Sequence, residues 1–225
     1  MYHYFPSQKR RIFKNKNLII FDFDGVLADS FDTFYPLVRD AMKSVGLSLT
    51  PDQYRDFFIG NVHQSFKDFI KDADKYSKFS KFRNSNYTKY YTDKKTKAKL
   101  FPEAISFLKE ISKNYILTVA SSGRENNIKN LLGENGVKNL FSLILADSAT
   151  SKECVIKEIL DKFGKKPETS VMITDTVGDI VTAKGSGLKT IAVTWGFHSA
   201  KLLKSAKPDF LANNFTMLYK QLKAF

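Results

Sequence analysis

LIIFDFDG, residues 18–25, is the stretch of sequence that decides the fold of this chain. Its first four residues are apolar without a break, which is typical of a short strand buried on both faces of a parallel sheet. Asp22 and Asp24 follow at once, so both carboxyl groups are expected at the carboxyl end of that strand, where open α/β sheets bind ligands. An Asp-x-Asp-Gly string is also common in turns, since Gly25 accepts a positive φ, so the rest of the chain must distinguish a turn from a site.

The composition indicates a globular protein with one large core. The chain has 225 residues, of which 43% are hydrophobic. Its single cysteine, Cys154, has no internal disulfide partner, which fits a reducing compartment. The basic residues near the N-terminus are followed only by the short strand, so neither a signal peptide nor a membrane span is expected. These features predict a cytoplasmic protein without a membrane partner.

The net charge of +13 raises the question of a nucleic-acid partner. The basic residues are 30 lysines and 6 arginines, whereas arginine is the residue that reads phosphates and base edges with two hydrogen bonds. We therefore interpret the lysines as a solvated surface and expect no nucleic acid as partner. A positive field that concentrates a small anionic substrate remains compatible with this charge.

The pattern of apolar residues divides the chain into a core and a helical insert. Short apolar runs at 115–120, 143–145, 171–174 and 190–193 alternate with helical periods, which predicts an α/β fold with a doubly wound parallel, Rossmann-like sheet. Between the first strand and these runs, apolar residues recur at helical spacing, with a capping box predicted at 50–53 and a single helix predicted from about residue 61 onward. In the core, helices are predicted to begin at Phe101, to run over 124–132 and end at Gly133, and to run from Ser151 to Phe163 with Gly164 as the stop. We therefore predict three parts, listed by residue number: a basic N-terminal extension 1–16, a core of 17–30 and 99–225, and an all-helical insert 31–98.

Polar side chains follow three further predicted strands. Ser121 comes directly after the run 115–120, and Lys152 follows the run 143–145 beside a helix cap. Asp175 and Asp179 follow the run 171–174. Each residue alone has an ordinary explanation as a helix cap or a solvent-facing charge. Acids that converge on one sheet edge, however, form a site for a hard cation.

The order of these motifs resembles the haloacid dehalogenase-like (HAD) hydrolase superfamily, specifically its phosphoglycolate phosphatase-like members with an inserted helical cap. The matching motifs are FDFDGV at 21–26, then Ser121, then Lys152, then Asp175 with Asp179. Their occurrence in this order, over nearly the whole chain, is far more specific than any single motif. The resemblance identifies the insert 31–98 as the cap.

The resemblance implies a catalytic role for four residues. Asp22 is expected to be the nucleophile that attacks phosphorus, and Asp24 the general acid and base. Ser121 and Lys152 are expected to hold the phosphoryl group. A carboxylate is repelled by a phosphate dianion, so positive charge is needed at the site before attack.

The resemblance also implies Mg²⁺ as the cofactor. Asp22, Asp24 and Asp175 are expected to bind it, with help from Asp179. The sequence departs from the family pattern at Thr174, which stands where a glycine commonly precedes the metal-binding aspartate. This departure removes no charge.

Substrate contacts are expected from the cap and from the second strand-end motif. Gly60 and His63 lie between two predicted cap helices, where the resemblance implies a specificity loop, and Ser122 and Arg124 follow Ser121 in the chain. Solvent exposure is the alternative interpretation for His63 and Arg124. His198 is open between lining the pocket and capping a helix.

The sequence thus predicts a magnesium-dependent phosphomonoester hydrolase that forms an aspartyl-phosphate. Its expected substrate is a small phosphorylated metabolite, with phosphoglycolate as the first compound to test, and the expected assembly is a monomer or homodimer. A sugar phosphomutase of the same fold is an alternative, because the motifs do not separate the two reactions. A basic nucleic-acid-binding protein with a vestigial site is a further alternative from another class.

Overall fold

The computed structural model describes residues 16–93, 97–146 and 150–225. The predicted basic extension 1–16 lies outside these residues, except for Lys16. Strands and helices are numbered in chain order. The strands are β1 (Leu18–Phe21), β2 (Ala28–Asp29), β3 (Lys99–Leu100), β4 (Ile116–Ser121), β5 (Phe141–Ala146), β6 (Ser170–Thr174), β7 (Lys189–Val193) and β8 (Phe210–Ala212). The helices are α1 (Phe31–Lys43), α2 (Pro51–Asp56), α3 (Val62–Ile70), α4 (Ala73–Thr92), α5 (Ala104–Ile111), α6 (Glu125–Glu134), α7 (Lys152–Phe163), α8 (Val177–Gly185), α9 (Ala200–Ser205) and α10 (Phe215–Ala224).

Six of the strands form one parallel sheet in the order β5-β4-β1-β6-β7-β8. After β1 the chain builds one half of the sheet through β4 and β5, and then crosses to the other side of β1 to add β6, β7 and β8. The strand order therefore reverses at β1, and the carboxyl end of β1 is the position at which such sheets bind ligands. The predicted doubly wound α/β fold with a helical insertion is confirmed.

The first strand is buried on both faces, as its unbroken apolar sequence predicts. All four of its side chains are fully buried. Because side chains alternate along a strand, Ile19 and Phe21 pack into one hydrophobic core and Leu18 and Ile20 into the other. This double burial fixes the register of β1 and hence the position of the aspartates that follow it.

A tight turn follows β1 and carries Asp24. The carbonyl of Phe23 accepts hydrogen bonds from the backbone N–H groups of Val26, Leu27 and Ala28. Gly25 has a φ of +78°, which a residue with a side chain rarely adopts. The turn leads into β2, which pairs with β3 in a small antiparallel sheet that the sequence pattern did not predict.

Helices α1 to α4 form a separate helical layer with its own aromatic core. Phe66 and Phe79 are buried at its centre, with ring centroids 5.2 Å apart. Thr50 caps α2 and exchanges hydrogen bonds with Gln53, which forms the predicted capping box. These aromatic side chains pack inside the insert, so they do not form a base-stacking surface.

Three predicted helix boundaries were wrong. The apolar period after residue 61 was predicted to be one helix, but Lys71 adopts a φ of 60° and ends α3, and Asp72 then caps α4. Helix α5 begins three residues after the predicted Phe101, and α6 continues through Gly133 to Glu134. Exact helix ends depend on tertiary packing, which local patterns do not contain. No helix in the described part of the chain is long and apolar enough to cross a membrane.

Candidate active site

Asp22, Lys152 and Asp179 meet at the carboxyl edge of the sheet. Asp22 follows β1, Lys152 begins α7, and Asp179 lies in the first turn of α8. The Lys152 Nζ atom lies 3.1 Å from Asp22 Oδ1 and 2.6 Å from Asp179 Oδ2. Because the lysine side chain is only 12% exposed, it is an internal cation and not a solvent-facing one.

Thr174 contributes a hydroxyl group that the sequence did not assign to the site. Its Oγ1 donates to Asp179 Oδ2 at 3.1 Å and accepts from the Thr176 N–H at 3.3 Å. The side chain is fully buried at the end of β6. The threonine that stands where the family resembled by the sequence commonly has glycine therefore helps to orient Asp179.

Burial and charge set the protonation states of Asp22, Asp179 and Lys152. Burial raises the pKa of Asp22 well above its ordinary value, and Asp179 and Asp175 raise it further against the opposing charge of Lys152. Burial also acts to raise the pKa of Asp179, but Lys152 and the Thr174 hydroxyl hold it below its ordinary value. Burial lowers the pKa of Lys152, yet the charges of Asp179 and Asp22 raise it overall, so the lysine stays protonated.

Asp175 is fully buried and held by the loop that follows β7. Its Oδ2 accepts from the Phe197 N–H at 2.6 Å, and its backbone carbonyl accepts from the His198 N–H at 3.3 Å. Its Oδ1 is buried and has no hydrogen-bond partner among the described residues. Burial raises the pKa of Asp175 to about 7, against the opposing Phe197 N–H and with a further rise from Asp179.

Two glycines leave the space that Asp175 occupies. A Cβ atom on Gly196 would lie 2.2 Å from Asp175 Oδ2, and one on Gly25 would lie 2.1 Å from the same atom. Both distances are far shorter than a van der Waals contact. The carboxyl group therefore fills a slot that exists only because both neighbours lack side chains.

We expect Gly196→Ala to displace Asp175 and to destabilise the protein by about 1–3 kcal/mol, because overpacking a rigid site costs that much. Urea unfolding measures the free energy of unfolding. Titration with MgCl₂, the cofactor that the sequence resemblance implies, measures the concentration needed for half-maximal activity, which we expect to rise. Gly133→Ala is the matched control, since a Cβ there has no neighbour within 4 Å. If the two variants have the same free energy of unfolding and need the same MgCl₂ concentration, the tight fit around Asp175 is contradicted.

Asp24 and Ser121 approach the same point from neighbouring strands. A Cβ atom on Gly123 would lie 3.2 Å from Ser121 Oγ and 3.4 Å from Asp24 Oδ2, so this glycine lies against both side chains. The Gly123 N–H donates to Ser121 Oγ at 3.0 Å, which leaves the Ser121 hydroxyl proton available to an acceptor. Burial raises the pKa of Asp24 to about 6, opposed by the Ser30 hydroxyl and by Lys152, so this carboxyl can hold a proton near neutral pH.

The donor set at this edge fits a magnesium ion. Among the described residues, no three carboxylate, imidazole or thiol groups already surround one point. Mg²⁺ does not need such a cage, because it keeps several waters and uses one or two carboxylates. Carboxyl groups outnumber the single ammonium group, and the buried Asp175 Oδ1 has no partner in the described chain. A hard divalent cation beside Asp22 and Asp175 would satisfy that oxygen and balance the excess negative charge.

A cavity of about 490 Å³ lies between the sheet edge and the helical layer. Its core wall includes Asp22, Asp24, Ser121 and Lys152. Its other wall comes from the insert, mainly from α3, α4 and the loop before α3. The volume is within the range of small-molecule sites, and one wall is acidic while the other is aromatic and basic.

His198 ties the core to the helical layer. The Val177 N–H donates to His198 Nδ1 at 3.0 Å, so the ring proton lies on Nε2, which donates to the carbonyl of Arg55 at 2.9 Å. Its ring is buried. His198 therefore neither lines the cavity nor caps α9; Ser199 caps that helix through the Leu202 N–H.

A second contact between the two layers brings the backbone of α8 close to backbone carbonyl groups of the insert. A Cβ atom on Gly178, near the start of α8, would lie 2.6 Å from the Gly60 carbonyl oxygen and 3.0 Å from that of Phe58. The loop 58–60 of the insert thus lies directly on α8. Only a residue without a side chain at position 178 allows this closed arrangement.

We expect Gly178→Ala to hold the helical layer away from the core and to reduce kcat/KM roughly tenfold to hundredfold, because small displacements in a site have effects of that size. Assays of phosphate release, the activity that the sequence resemblance implies, and thermal unfolding measure activity and folding separately. Gly185→Ala, at the other end of α8, is the control, because a Cβ there has no neighbour within 4 Å. If both variants have the same kcat/KM, the contact between Gly178 and the loop 58–60 is not needed for activity.

The predicted substrate contacts occupy different positions around the cavity. Gly60, His63, Ser122 and Arg124 all line it. Gly60 and Ser122 are exposed at its edge. His63 is half-buried, and its Nε2 is buried without a hydrogen-bond partner among the described residues. Arg124 is exposed, lies 4.0 Å from the centre of the Tyr87 ring and donates to the Asn84 carbonyl at 3.2 Å.

Several residues of the cavity were not identified from the sequence. Tyr54, Arg83 and Tyr87 line its helical wall, and Phe197 reaches it from the core. Their side chains sit in regular helical or loop positions that look like ordinary surface or core residues. Only the packing of the insert against the core shows that they share one cavity with Asp22.

Comparison with known proteins shows which sequences and structures this chain is similar to. The sequence model of a family described as "Haloacid dehalogenase-like hydrolase" matches residues 19–193. The phosphoglycolate phosphatase of Synechococcus elongatus is 29% identical over 197 residues, covering 86% of this chain and 91% of that protein. The phosphoglycolate phosphatase of Aquifex aeolicus is 27% identical over 214 residues, covering 90% and 95%. A haloacid dehalogenase-like hydrolase structure from Streptococcus pneumoniae superposes with a TM-score of 0.80 at 25% identity, covering 93% and 99%.

Proposed function

Since this chain belongs to the haloacid dehalogenase-like hydrolase family and is a phosphatase, we propose that it uses Mg²⁺ and an aspartyl-phosphate on Asp22. The substrate is a small phosphorylated metabolite, for which phosphoglycolate is the first candidate. The convergence of Asp22, Lys152 and Asp179 at the floor of a covered cavity is the observation that supports this most strongly.

Asp22 and Asp175, with the backbone carbonyl of Asp24 and help from Asp179, are the groups that would hold the metal. A bound Mg²⁺ would neutralise the charge on the phosphate oxygens, so that a carboxylate can approach phosphorus. Lys152 adds a second positive charge beside Asp22. Bond formation to phosphorus and the proton transfers are carried out by the protein's own side chains.

In the first half-reaction, a carboxylate oxygen of Asp22 forms a bond to phosphorus, and the bond from phosphorus to the ester oxygen breaks. Asp24 gives its proton to the departing oxygen, and Ser121 and Lys152 hold the transferred phosphoryl group. In the second, water attacks phosphorus, Asp24 takes a proton from that water, and the bond between phosphorus and Asp22 breaks. Inorganic phosphate leaves and both aspartates return to their starting states.

The helical insert acts as a cap that selects the substrate. It covers the reacting groups, and cavities closed in this way exclude water from the reaction. Two similar proteins are phosphoglycolate phosphatases, at 29% and 27% identity, which makes phosphoglycolate the first compound to test. We further propose a cytoplasmic monomer or homodimer with no nucleic-acid partner.

The test is phosphate release from a panel of phosphorylated metabolites, with MgCl₂ and with EDTA. We expect release from at least one two- to four-carbon ester in MgCl₂ and none in EDTA. Total ester phosphate is measured in parallel, because a phosphomutase would conserve it. If the folded, magnesium-loaded protein releases phosphate from no ester, the proposed function is wrong.

A further inference from the structure

Arg83 is a cation in the wall of the cavity that has ring contacts but no hydrogen-bond or ion-pair partner among the described residues. It lies on α4, is partly buried, and its guanidinium carbon is 5.5 Å from the centre of the Phe66 ring and 5.7 Å from that of Phe79. Among residues 16–93, 97–146 and 150–225, no carboxylate forms an ion pair with it and no oxygen accepts a hydrogen bond from its N–H groups. Its five donors are therefore unsatisfied by this part of the chain.

The other arginines of the insert and its border are bonded. Arg39 pairs with Asp40 at 2.8 Å, and Arg55 pairs with Asp52 at 3.2 Å. Arg124 donates to a backbone carbonyl. Arg83 is only partly desolvated, but partial burial of a cation without a counter-charge is still unfavourable, and a bound anion would offset that cost.

No carboxylate is among the strongest electrostatic neighbours of Arg83 in the described part of the chain. Burial lowers its pKa, and its strongest electrostatic neighbours are three tyrosines, which are neutral at pH 7, and the cation Arg124. Burial and the Arg83 charge together lower the pKa of His63, so its ring is neutral and adds no counter-charge. His63 Nε2 is itself buried and unpartnered within the described chain. Two polar groups on the cap wall thus lack partners.

The core wall of the same cavity is the place for the phosphoryl group. Arg83 and Tyr54 line the same cavity as Asp22, so the cap wall and the core wall face one enclosed space. A small ester bound at Asp22 can therefore present a second oxyanion to the cap wall of this cavity. A planar guanidinium offers two parallel hydrogen bonds to such a group.

We propose that Arg83, with His63 beside it, binds a second oxyanion of the substrate, either a carboxylate or a second phosphate. Arg83 is thus the specificity-determining residue that makes the protein prefer doubly anionic phosphoesters. This inference rests on the proposed function, since it places the reacting phosphate at Asp22. It concerns binding, so it is testable without turnover.

The test is calorimetric binding, in MgCl₂, of three phosphonates that the enzyme does not hydrolyse. These are 3-phosphonopropionate, which carries a carboxylate, 1,3-propanediphosphonate, which carries a second phosphonate, and propylphosphonate, which carries neither. We expect the wild type to bind one of the first two roughly tenfold to hundredfold more tightly than propylphosphonate, as a charge-assisted hydrogen-bond pair provides. Whichever of the two binds better identifies the second oxyanion.

Arg83→Gln is expected to abolish this preference while binding propylphosphonate as the wild type does. Arg83→Lys keeps the charge but loses the planar fork, so an intermediate preference is expected, and this variant serves if the glutamine variant unfolds. Arg39→Gln is the control, because that arginine is an exposed cap residue outside the cavity. It should keep the full preference.

The inference is overturned if the wild type shows no preference, or if Arg83→Gln or a folded Arg83→Lys keeps the full preference. It is also overturned if Arg83→Gln weakens all three phosphonates equally. Absence of phosphate release from every ester, with the Arg83-dependent preference intact, would instead overturn the phosphatase function alone. The two failures are therefore distinguishable.

Discussion

Asp22→Asn is expected to reduce phosphate release by at least about 10³-fold, the scale of loss found when a nucleophile is removed. An amide cannot form the bond to phosphorus, and Lys152 alone cannot replace it. The measurement is steady-state release from the best ester of the panel at saturating MgCl₂. Asp29→Asn, which changes an exposed aspartate on β2, is the matched control and should retain wild-type activity.

Asp22→Asn should be at least as stable as the wild type. A loss of activity without a loss of stability would show that the defect is chemical and not a failure to fold. The pKa of Asp22 is raised by burial above its ordinary value of 3.8, so the folded state holds the proton more tightly than the unfolded state. Folding stability therefore falls as the pH rises through 3.8 and up to the folded-state pKa, and the ionised group is destabilising at neutral pH. Urea unfolding of metal-free protein at pH 7 should give Asp22→Asn an equal or larger free energy of unfolding. A clear decrease would contradict this.

Asp24→Asn is expected to reduce turnover roughly 10²- to 10⁴-fold, the usual contribution of a general acid or base. With 4-nitrophenyl phosphate the leaving group needs no proton, so the first half-reaction should persist while hydrolysis of the aspartyl-phosphate slows. Stopped-flow absorbance should show a burst of about one nitrophenolate per active site, followed by slow release.

Simple alkyl esters provide the contrast for Asp24→Asn. Their leaving oxygen needs the proton that Asp24 supplies, so no burst is expected with them, and the first half-reaction itself should become slow. Wild-type turnover of both kinds of ester by this variant would show that Asp24 does not move protons in the reaction. Asp29→Asn again controls for the loss of one carboxylate near the turn.

The parts of the site that the sequence predicted lie at the ends of strands. The apolar run 18–21 predicts β1, and the alternation of later runs predicts parallel pairing. Asp22, Ser121 and Asp175 therefore come to one edge because parallel strands end there. Thr50 and Gly164 likewise act as the helix caps that their residue types favour.

The parts that the sequence did not predict depend on packing between distant segments. Arg83 is one of 13 basic residues in 31–98, and nothing in its local pattern separates it from the solvated lysines. Its burial arises only when α4 packs against α3 and the closed cap meets the core. The break at Lys71 was missed for a similar reason, since neither glycine nor proline marks it.

The central claim is that Asp22 carries the phosphoryl group during turnover. Its most direct test is rapid acid quenching of Asp24→Asn after mixing with MgCl₂ and 4-nitrophenyl phosphate, followed by peptide mass spectrometry. We predict one phosphoryl group per molecule, on the peptide that contains Asp22, and none in Asp22→Asn under the same conditions. A nitrophenolate burst without phosphate on that peptide, or with phosphate on a different residue, would contradict the account.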